Sequence, residues 1–180
     1  MKHSIATIAA SVAIIALSAC APTGANQSPA SKIGTRTAEQ EKNLATFDDL
    51  DFKVYSGQKW DEFHKSHAED IVVHYPDGST TTGLPEHLEM LKPQFVFAPD
   101  TVIKEHPIKL ADGDYTAVQG FMEGTFSAPM PLANGSVIEP TRKKFKLGML
   151  TVGRWENGVM AEEWLYWDNQ AFMKQIGLAE

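Results

Sequence analysis

Residues 161–177 hold an unusual concentration of aromatic and acidic side chains. Two-residue alternation along a strand places Glu162, Trp164, Tyr166 and Asp168 on one face. Because burial of an unpaired charge is costly, a carboxylate at the end of this aromatic row is either hydrogen-bonded for structural reasons or adjusted for acid–base chemistry. On residue type alone, the structural role is the more frequent one for Asp168. Trp164 and Tyr166 suit the core, and as pocket walls they would stack on a flat ligand.

His106 is the second side chain that could move a proton. It alternates in phase with apolar residues between positions 102 and 110, so it is expected to point inward. An imidazole with a reference pKa of about 6.5 could pass a proton to or from Asp168 across a pocket. A core histidine bonded to a backbone carbonyl fits the pattern equally well. Glu163 lies on the opposite strand face from Asp168 and is expected to pair with a lysine or arginine of a neighbouring strand.

Two further histidines, His64 and His67, lie one helical turn apart and raise the question of a metal site. They stand in a highly charged segment that offers no convincing third ligand. Solvent-facing side chains are the preferred interpretation, and no metal is expected. His74 alternates with the apolar residues of its own strand and is expected to point away from a pocket.

The N-terminus resembles a bacterial lipoprotein signal peptide. A short basic start precedes an apolar run from Ile5 to Leu17, and the only cysteine, Cys20, closes a small-residue cleavage motif. The resemblance implies removal of residues 1–19 and a lipid anchor on Cys20. An ordinary secretory signal or an uncleaved anchor is the alternative, although the run is shorter than the ~20 residues of a spanning helix. Ala21 then implies the periplasmic side of the outer membrane in a Gram-negative cell.

The whole chain of 180 residues carries a formal net charge of −7. An acidic chain without a basic patch interleaved with aromatics is not expected to bind nucleic acid. Residues 20–37 are rich in Ala, Pro, Ser and Thr and are expected to form a flexible tether. Residues 38–180 suffice for one domain and are too few for two ordinary ones. With Cys20 lipidated, this domain contains no thiol, which excludes disulfides and cysteine nucleophiles from it.

The elements that must position these side chains are helices followed by strands. Apolar residues spaced by three to four predict an amphipathic helix over 39–55 that Gly57 ends, and a short helix over 60–67. A strand over 71–75 and a helix from 83, with proline in its first turn, come next. The remaining predicted elements are four antiparallel strands at 101–110, 114–126, 143–155 and 159–168, a long loop at 127–141, and a closing helix at 169–176.

This order and its motifs resemble the SnoaL-like polyketide cyclases, in the branch called ester cyclases. The motifs are His74-Tyr-Pro-Asp-Gly78, Gly83, Thr125-Phe126, Pro140-Thr141 and the run from Glu163 to Gly177. The resemblance implies an α+β fold like that of nuclear transport factor 2, in which a cone-shaped, curved antiparallel sheet packs on N-terminal helices and encloses a pocket. It also implies that Asp168 is the acid–base residue of a ring closure that needs neither metal nor organic cofactor.

In this resemblance, Tyr75 corresponds to the catalytic base of ketosteroid isomerase, an enzyme with the same fold. A phenol with a reference pKa of about 10 is a poor base at neutral pH, so steroid isomerisation by that route is not expected. Tyr75 is instead expected to help to bind the substrate, together with Trp164 and Tyr166.

The resulting hypothesis is a lipid-anchored protein that binds a small apolar or aromatic carbonyl compound. If it is an enzyme, it would catalyse cyclisation or isomerisation without a cofactor, with Asp168 as the acid–base residue and His106 assisting. The alternative is a lipoprotein that uses the same pocket to sequester or sense a ligand without turnover. A homodimer through the open face of the sheet is also expected, because proteins of this fold often pair in that way.

Overall fold

The computed structural model describes residues 34–180 of the chain. Helix α1, Ala38–Asp49, begins with a capping box in which the Thr37 hydroxyl accepts from the Gln40 backbone and the Gln40 side chain accepts from Thr37 N. The helix continues without interruption as a π-helical segment, Leu50–Tyr55. Such wider turns are rare in proteins, and where they occur they are often found at functional sites. The predicted helix over 39–55 is therefore confirmed, with a change of helix type at its end.

The other helical segments separate or follow the strands. A 3₁₀ helix, Trp60–Lys65, leads into the first strand. Helix α2, Leu84–Phe97, carries Pro85 in its first turn. Backbone N–H groups in the first turn have no acceptor within the helix, so proline costs no hydrogen bond there. Helix α3, Asn169–Gln175, starts after the N-cap residue Asp168. Between residues 34 and 180, none of these helices is long and apolar enough to cross a membrane. The predicted signal peptide and Cys20 lie outside the described residues.

Most strands of residues 34–180 belong to one seven-stranded sheet. The strands are β1 His67–His74, β2 Thr80–Thr82, β3 Val102–Ile103, β4 Ile108–Asp112, β5 Tyr115–Thr125, β6 Met130–Pro131, β7 Val137–Ile138, β8 Lys144–Glu156 and β9 Val159–Trp167. The sheet runs in the order β2-β1-β9-β8-β5-β3, β4 also pairs with β5, and β6 and β7 form a separate hairpin. All pairings are antiparallel except that of β1 with β9, which is parallel.

The predicted strand over 101–110 is broken in the structure. β3 ends at Ile103, β4 begins at Ile108, and each pairs with a different part of β5. Pro107 lies in the gap, where it has no backbone N–H to contribute to a ladder. His106 therefore stands in a loop between two strands and is free to turn toward the helices.

The helices cover one face of the sheet and leave the other open. α1 packs on β4 and β5, α2 on β1 and β2, and α3 on β8. The side chains buried most completely in the resulting core include Leu44, Phe47, Phe63, Ile71 and Phe126. On β9 the covered face carries Glu163 and Leu165, whereas Tyr166 on the open face is 51% exposed. The predicted α+β fold, with a curved, mainly antiparallel sheet packed on helices, is confirmed.

Candidate active site

A cavity of about 400 Å³ lies between the helices and the covered face of the sheet. Its wall is largely apolar and includes five methionines, whose flexible side chains adapt to irregular ligands; they are Met90, Met122, Met130, Met149 and Met173. The polar residues of the wall are Asp51, Tyr55, His67, His87, Gln94, Thr151, Glu163 and Asn169. An apolar cavity with a few convergent polar groups is the usual form of a small-molecule site.

Asp51 enters the cavity wall from the π-helical segment and is held there by His106. Oδ2 of Asp51 lies 2.9 Å from Nε2 of His106. The other nitrogen of the ring, Nδ1, lies 2.8 Å from Oδ1 of Asp48. Asp48 in turn accepts a hydrogen bond of 2.6 Å from Nζ of Lys109. A chain of alternating charges therefore runs from Lys109 on β4 through Asp48 and His106 to the carboxylate of Asp51 in the cavity wall.

The charges of this chain shift each other's proton affinity. Burial alone would lower the pKa of His106, but its bonds to Asp51 and Asp48 outweigh burial and raise that pKa. Burial raises the pKa of Asp51 by more than His106 lowers it, and the nearby charge of Glu163 raises it further. The pKa values of this carboxyl group and this imidazole are therefore both raised, and shifts of this kind are typical of groups that act in acid–base chemistry.

Tyr55 lies four residues after Asp51 in the same π-helical segment and also faces the cavity. Among the described residues, its hydroxyl donates a hydrogen bond only to Sδ of Met122, at 3.5 Å, and a thioether is a weak acceptor. Burial raises the pKa of Tyr55, and the charge of Asp51 adds to this effect. The phenol therefore stays protonated and keeps a hydrogen-bond donor available beside the carboxylate.

A second polar group, formed by His67, His87 and Glu163, stands in the same wall. All three side chains are at least nine-tenths buried, and they come from β1, α2 and β9. Oε2 of Glu163 lies 3.8 Å from Nε2 of His67 and 3.7 Å from Nε2 of His87, distances too long for hydrogen bonds. Burial alone would raise the pKa of Glu163, but the positive charge that the two imidazoles carry when protonated outweighs burial and lowers that pKa. Burial lowers the pKa of His87 to about 4, so this imidazole is neutral at pH 7.

The structure places Asp168 outside the cavity. Its side chain is exposed and accepts a hydrogen bond of 2.9 Å from Ala171 N, as the N-cap of α3. The proton relay between His106 and Asp168 that the sequence suggested is not supported by their positions, because His106 contacts Asp48 and Asp51 instead. The expectation that His106 points inward is confirmed, since its side chain is 1% exposed.

The aromatic residues expected to line the pocket also lie elsewhere. Trp164 stacks on His74 at a ring distance of 5.2 Å on the open face, which confirms the outward direction predicted for His74. Tyr75 is half-buried, and its hydroxyl lies 2.8 Å from Nδ1 of His87, directly behind the cavity wall. Tyr75, Tyr166 and Asp168 do meet, but in a shallow groove at the edge of the open face.

Two further expectations are wrong. His67 does not face solvent, because it is the first residue of β1 and lies in the core, whereas His64 is exposed as predicted. Within residues 34–180, Glu163 pairs with no lysine or arginine, because the covered face of β9 turns it toward the two buried histidines. In both cases the parallel pairing of β1 with β9 sets the environment of the side chain.

Asp51 and His87 were missed as site residues, although the sequence carries a signal for each. Asp51 continues the apolar spacing of Leu44 and Phe47, and His87 falls between Leu84 and Leu91 on the apolar face of α2. The signal in both cases is a titratable side chain on the apolar face of an amphipathic helix, the face that packs on the core and the cavity.

The sequence model of the SnoaL-like polyketide cyclases matches residues 50–176. This match covers the π-helical segment with Asp51 and Tyr55, the buried residues His67, His87 and Glu163, and all of α3. No curated protein matches the sequence.

Solved structures of the same fold superpose closely. A candidate SnoaL-like polyketide cyclase from Jannaschia sp. CCS1 has a TM-score of 0.69 at 16% identity, covering 82% of this chain and 99% of its own. IdmH, a candidate polyketide cyclase from Streptomyces antibioticus, has a TM-score of 0.64 at 22% identity, covering 75% and 98%. A protein of ketosteroid isomerase-like fold from Catenulispora acidiphila, solved with trimethylamine, has a TM-score of 0.59 at 13% identity, covering 76% and 92%.

At these identities the superpositions establish the fold, and the sequence model establishes the family. The chain belongs to the SnoaL-like polyketide cyclase family.

Proposed function

We propose that this protein binds a small apolar or aromatic carbonyl compound in the cavity and moves a proton at the carbon next to the carbonyl, with Asp51 as the base. The observation that carries the proposal is the carboxylate of Asp51 in an apolar cavity wall, held from behind by His106. Burial of this kind raises the affinity of a carboxylate for a proton and makes it a stronger base.

In the proposed step, the free oxygen of Asp51 takes a proton from the α-carbon of the ligand. The electrons of the broken C–H bond move toward the carbonyl oxygen, which accepts a hydrogen bond from the Tyr55 hydroxyl. Return of the proton to another carbon would complete an isomerisation. Attack of the new carbon nucleophile on a second carbonyl of the same molecule would complete a cyclisation. Each proton that Asp51 accepts is given back, so the steps are redox-neutral and need no organic cofactor.

The first test uses β-tetralone, an apolar aromatic ketone with acidic α-protons, in deuterium oxide. The protein is expected to accelerate exchange of these protons, followed by nuclear magnetic resonance. Asp51→Asn is expected to lower the exchange rate by about 10²–10⁴-fold, the usual contribution of a positioned general base.

Asp168→Asn is the matched control for this experiment. It makes the same chemical change at the exposed cap of α3, where asparagine also caps well. An equal loss of exchange in both variants, or no loss in Asp51→Asn, would contradict the proposed role of Asp51.

Binding without turnover is the second candidate function, and the methionines of the cavity wall favour it. A wall of this kind accommodates several ligand shapes, as expected of a protein that sequesters or senses small apolar compounds. Saturable binding of β-tetralone by wild type and by Asp51→Asn, with no exchange in either protein, would support this function over catalysis.

We further propose that the protein acts in the bacterial envelope, anchored by lipid on Cys20. The support is the signal-like N-terminus with its single cysteine. Cells fed labelled palmitate are expected to label the wild-type chain and not Cys20→Ser. Label in the variant would contradict the anchor.

We also propose a homodimer through the open face of the sheet. The support is a set of large side chains exposed on that face, which includes Tyr115, Leu150 and Tyr166. Analytical ultracentrifugation of the protein is expected to show a dimer that Tyr166→Lys weakens. A wild-type monomer at high concentration would contradict the dimer.

A further inference from the structure

The buried cluster of His67, His87 and Glu163 is not used in the proton transfer proposed for Asp51. Its three side chains are 2%, 2% and 4% exposed. Nε2 of His67 and Oε2 of Glu163 are both buried without a hydrogen-bond partner among the described residues. Leaving one such group unpaired costs about 1–3 kcal/mol. Two unpaired groups that face each other therefore point to something that belongs between them.

The hydrogen bonds behind the rings determine what that group is. Oγ of Ser66 donates to the carbonyl of Phe63 at 3.1 Å, which uses its only hydrogen. The Ser66 oxygen can then accept the hydrogen of Nδ1 of His67, at 2.9 Å. In the neutral ring this leaves a lone pair on Nε2, directed at the lone pairs of the Glu163 carboxylate. Two lone pairs that face each other in the core repel unless a proton or a metal ion lies between them.

His87 has the same arrangement. Its Nδ1 lies 2.8 Å from the hydroxyl oxygen of Tyr75, and that hydroxyl can donate onward to Oγ1 of Thr81 at 3.3 Å. Both histidines thus hold a hydroxyl oxygen with Nδ1 and turn Nε2 toward Glu163. An imidazole that donates its far N–H to an oxygen and presents its other nitrogen is the usual arrangement of a metal-bound histidine.

The spacing of the three atoms also suits an ion. One ring nitrogen of His67, one ring nitrogen of His87 and one carboxylate oxygen of Glu163 all lie within 4.8 Å of one another. Two ligands at about 2.0–2.2 Å from a tetrahedral zinc ion are about 3.4 Å apart. The distances of 3.7 and 3.8 Å to Oε2 of Glu163 exceed that value by only a few tenths of an ångström. Small rotations of the side chains would close the difference.

From these observations we infer that His67, His87 and Glu163 bind a divalent transition-metal ion of the zinc class in the cavity wall. Two imidazoles and one carboxylate form a ligand set suited to zinc or ferrous iron and unsuited to magnesium, which prefers oxygen ligands. All three residues border the cavity, so a fourth position would be open to a ligand there. An ion with an open position can polarise a carbonyl or activate a water molecule. The inference goes beyond the proposed function, because it does not depend on Asp51.

The test is calorimetric titration of the untagged full-length protein, first freed of metal with a chelator, with Zn²⁺ and with Mg²⁺. Wild type is expected to bind one equivalent of Zn²⁺ and no Mg²⁺. Loss of a residue that only hydrogen-bonds a metal ligand usually weakens metal binding by about 10–100-fold. His87→Ala and Glu163→Gln remove ligands themselves, so each is expected to weaken Zn²⁺ binding by at least this factor. His64→Ala is the matched control, because it removes an exposed histidine of the neighbouring 3₁₀ helix.

A diffraction experiment on zinc-soaked wild-type crystals makes the test independent of whether the variants fold. Anomalous scattering is expected to locate the ion between the three side chains. Folded wild type that binds no Zn²⁺, an ion located elsewhere, or equal affinity in wild type and both site variants would overturn the inference. A water molecule would then satisfy the buried atoms. Loss of exchange in Asp51→Asn does not bear on this result, so the two proposals can fail separately.

Discussion

Nε2 of His106 lies 2.9 Å from Oδ2 of Asp51, and this contact joins a loop between two strands to the π-helical segment that faces the cavity. The opposite nitrogen of the ring meets a second carboxylate, that of Asp48. Carboxylates are acceptors only, so a ring held by two of them is best satisfied when both nitrogens carry hydrogen. The protonated imidazole of His106 therefore places a positive charge next to Asp51, the proposed base.

This arrangement predicts a pH-dependent contribution of His106 to stability. The pKa of His106 is raised in the folded protein, so its contribution is fully present below the unfolded value of about 6.5 and is lost as pH rises through the higher folded value. Hydrogen bonds to charged groups contribute about 1.5–3 kcal/mol, so His106→Gln is expected to lower the free energy of unfolding by about that amount in mild acid.

Urea unfolding of wild type and His106→Gln across the pH range measures this difference, which is expected to shrink as pH rises. His64→Gln serves as the control, because His64 is exposed. A difference that grows with pH would contradict a protonated His106.

Gly120 on β5 keeps room for the same imidazole. A Cβ at this position would lie 3.0 Å from Cδ2 and 3.3 Å from Nε2 of His106. Gly120→Ala is therefore expected to push the ring away from Asp51, with an overpacking cost of about 1–3 kcal/mol. The pKa of His106, measured by nuclear magnetic resonance, is expected to fall toward its ordinary value.

Gly148→Ala is the appropriate comparison for that variant. It adds the same methyl group to the adjacent strand β8, where the nearest atom is 3.7 Å away, an ordinary contact distance. A similar change of the His106 pKa in both variants would mean that the crowding of the ring is not the cause.

Asp168 is expected to matter for stability and not for chemistry. Its side chain caps α3, so Asp168→Ala is expected to lower the free energy of unfolding by about 0.5–2 kcal/mol, while Asp168→Asn changes it little. Chemical denaturation measures both effects. If Asp168→Asn lost the exchange activity while it stayed folded, the sequence-based assignment of this residue as the acid–base group would be restored.

The elements themselves were predictable because they depend on local patterns. Strong alternation and tight turns marked β5, β8 and β9 to within a few residues, and the apolar spacing marked α1 and α2. The break between β3 and β4 was not predicted, because Pro107 interrupts the ladder without interrupting the apolar alternation.

The orientation of β9 could not be derived in the same way. Its two faces are similar in composition, one with Trp164 and Tyr166 and the other with Leu165 and Trp167. A strand of this kind gives no sign of which face the helices cover, and choosing the other face exchanges every inward side chain for an outward one. The face of β9 that the helices cover is set by its pairing with β1, which is distant in the sequence, and this pairing turns Glu163 toward the core.

Tyr55 provides the most direct test of how the cavity acts on a carbonyl group. Its only hydrogen bond within the part of the chain that the structure describes is the weak one to the Met122 thioether, so Tyr55→Phe is expected to keep nearly the full stability of wild type. If the phenol stabilises the developing oxyanion, the same change is expected to slow β-tetralone exchange by about 10²-fold. Removal of one hydrogen-bond donor from the oxyanion hole of an enzyme has an effect of this size.

Binding of β-tetralone should change much less than exchange, because a neutral carbonyl gains less from the hydrogen bond than an oxyanion does. Thr151→Val is a useful control, since it removes a different hydroxyl from the same wall. Unchanged exchange in Tyr55→Phe would assign the oxyanion to another donor of the cavity. Equal slowing in both variants would instead indicate a general effect of the wall's polarity.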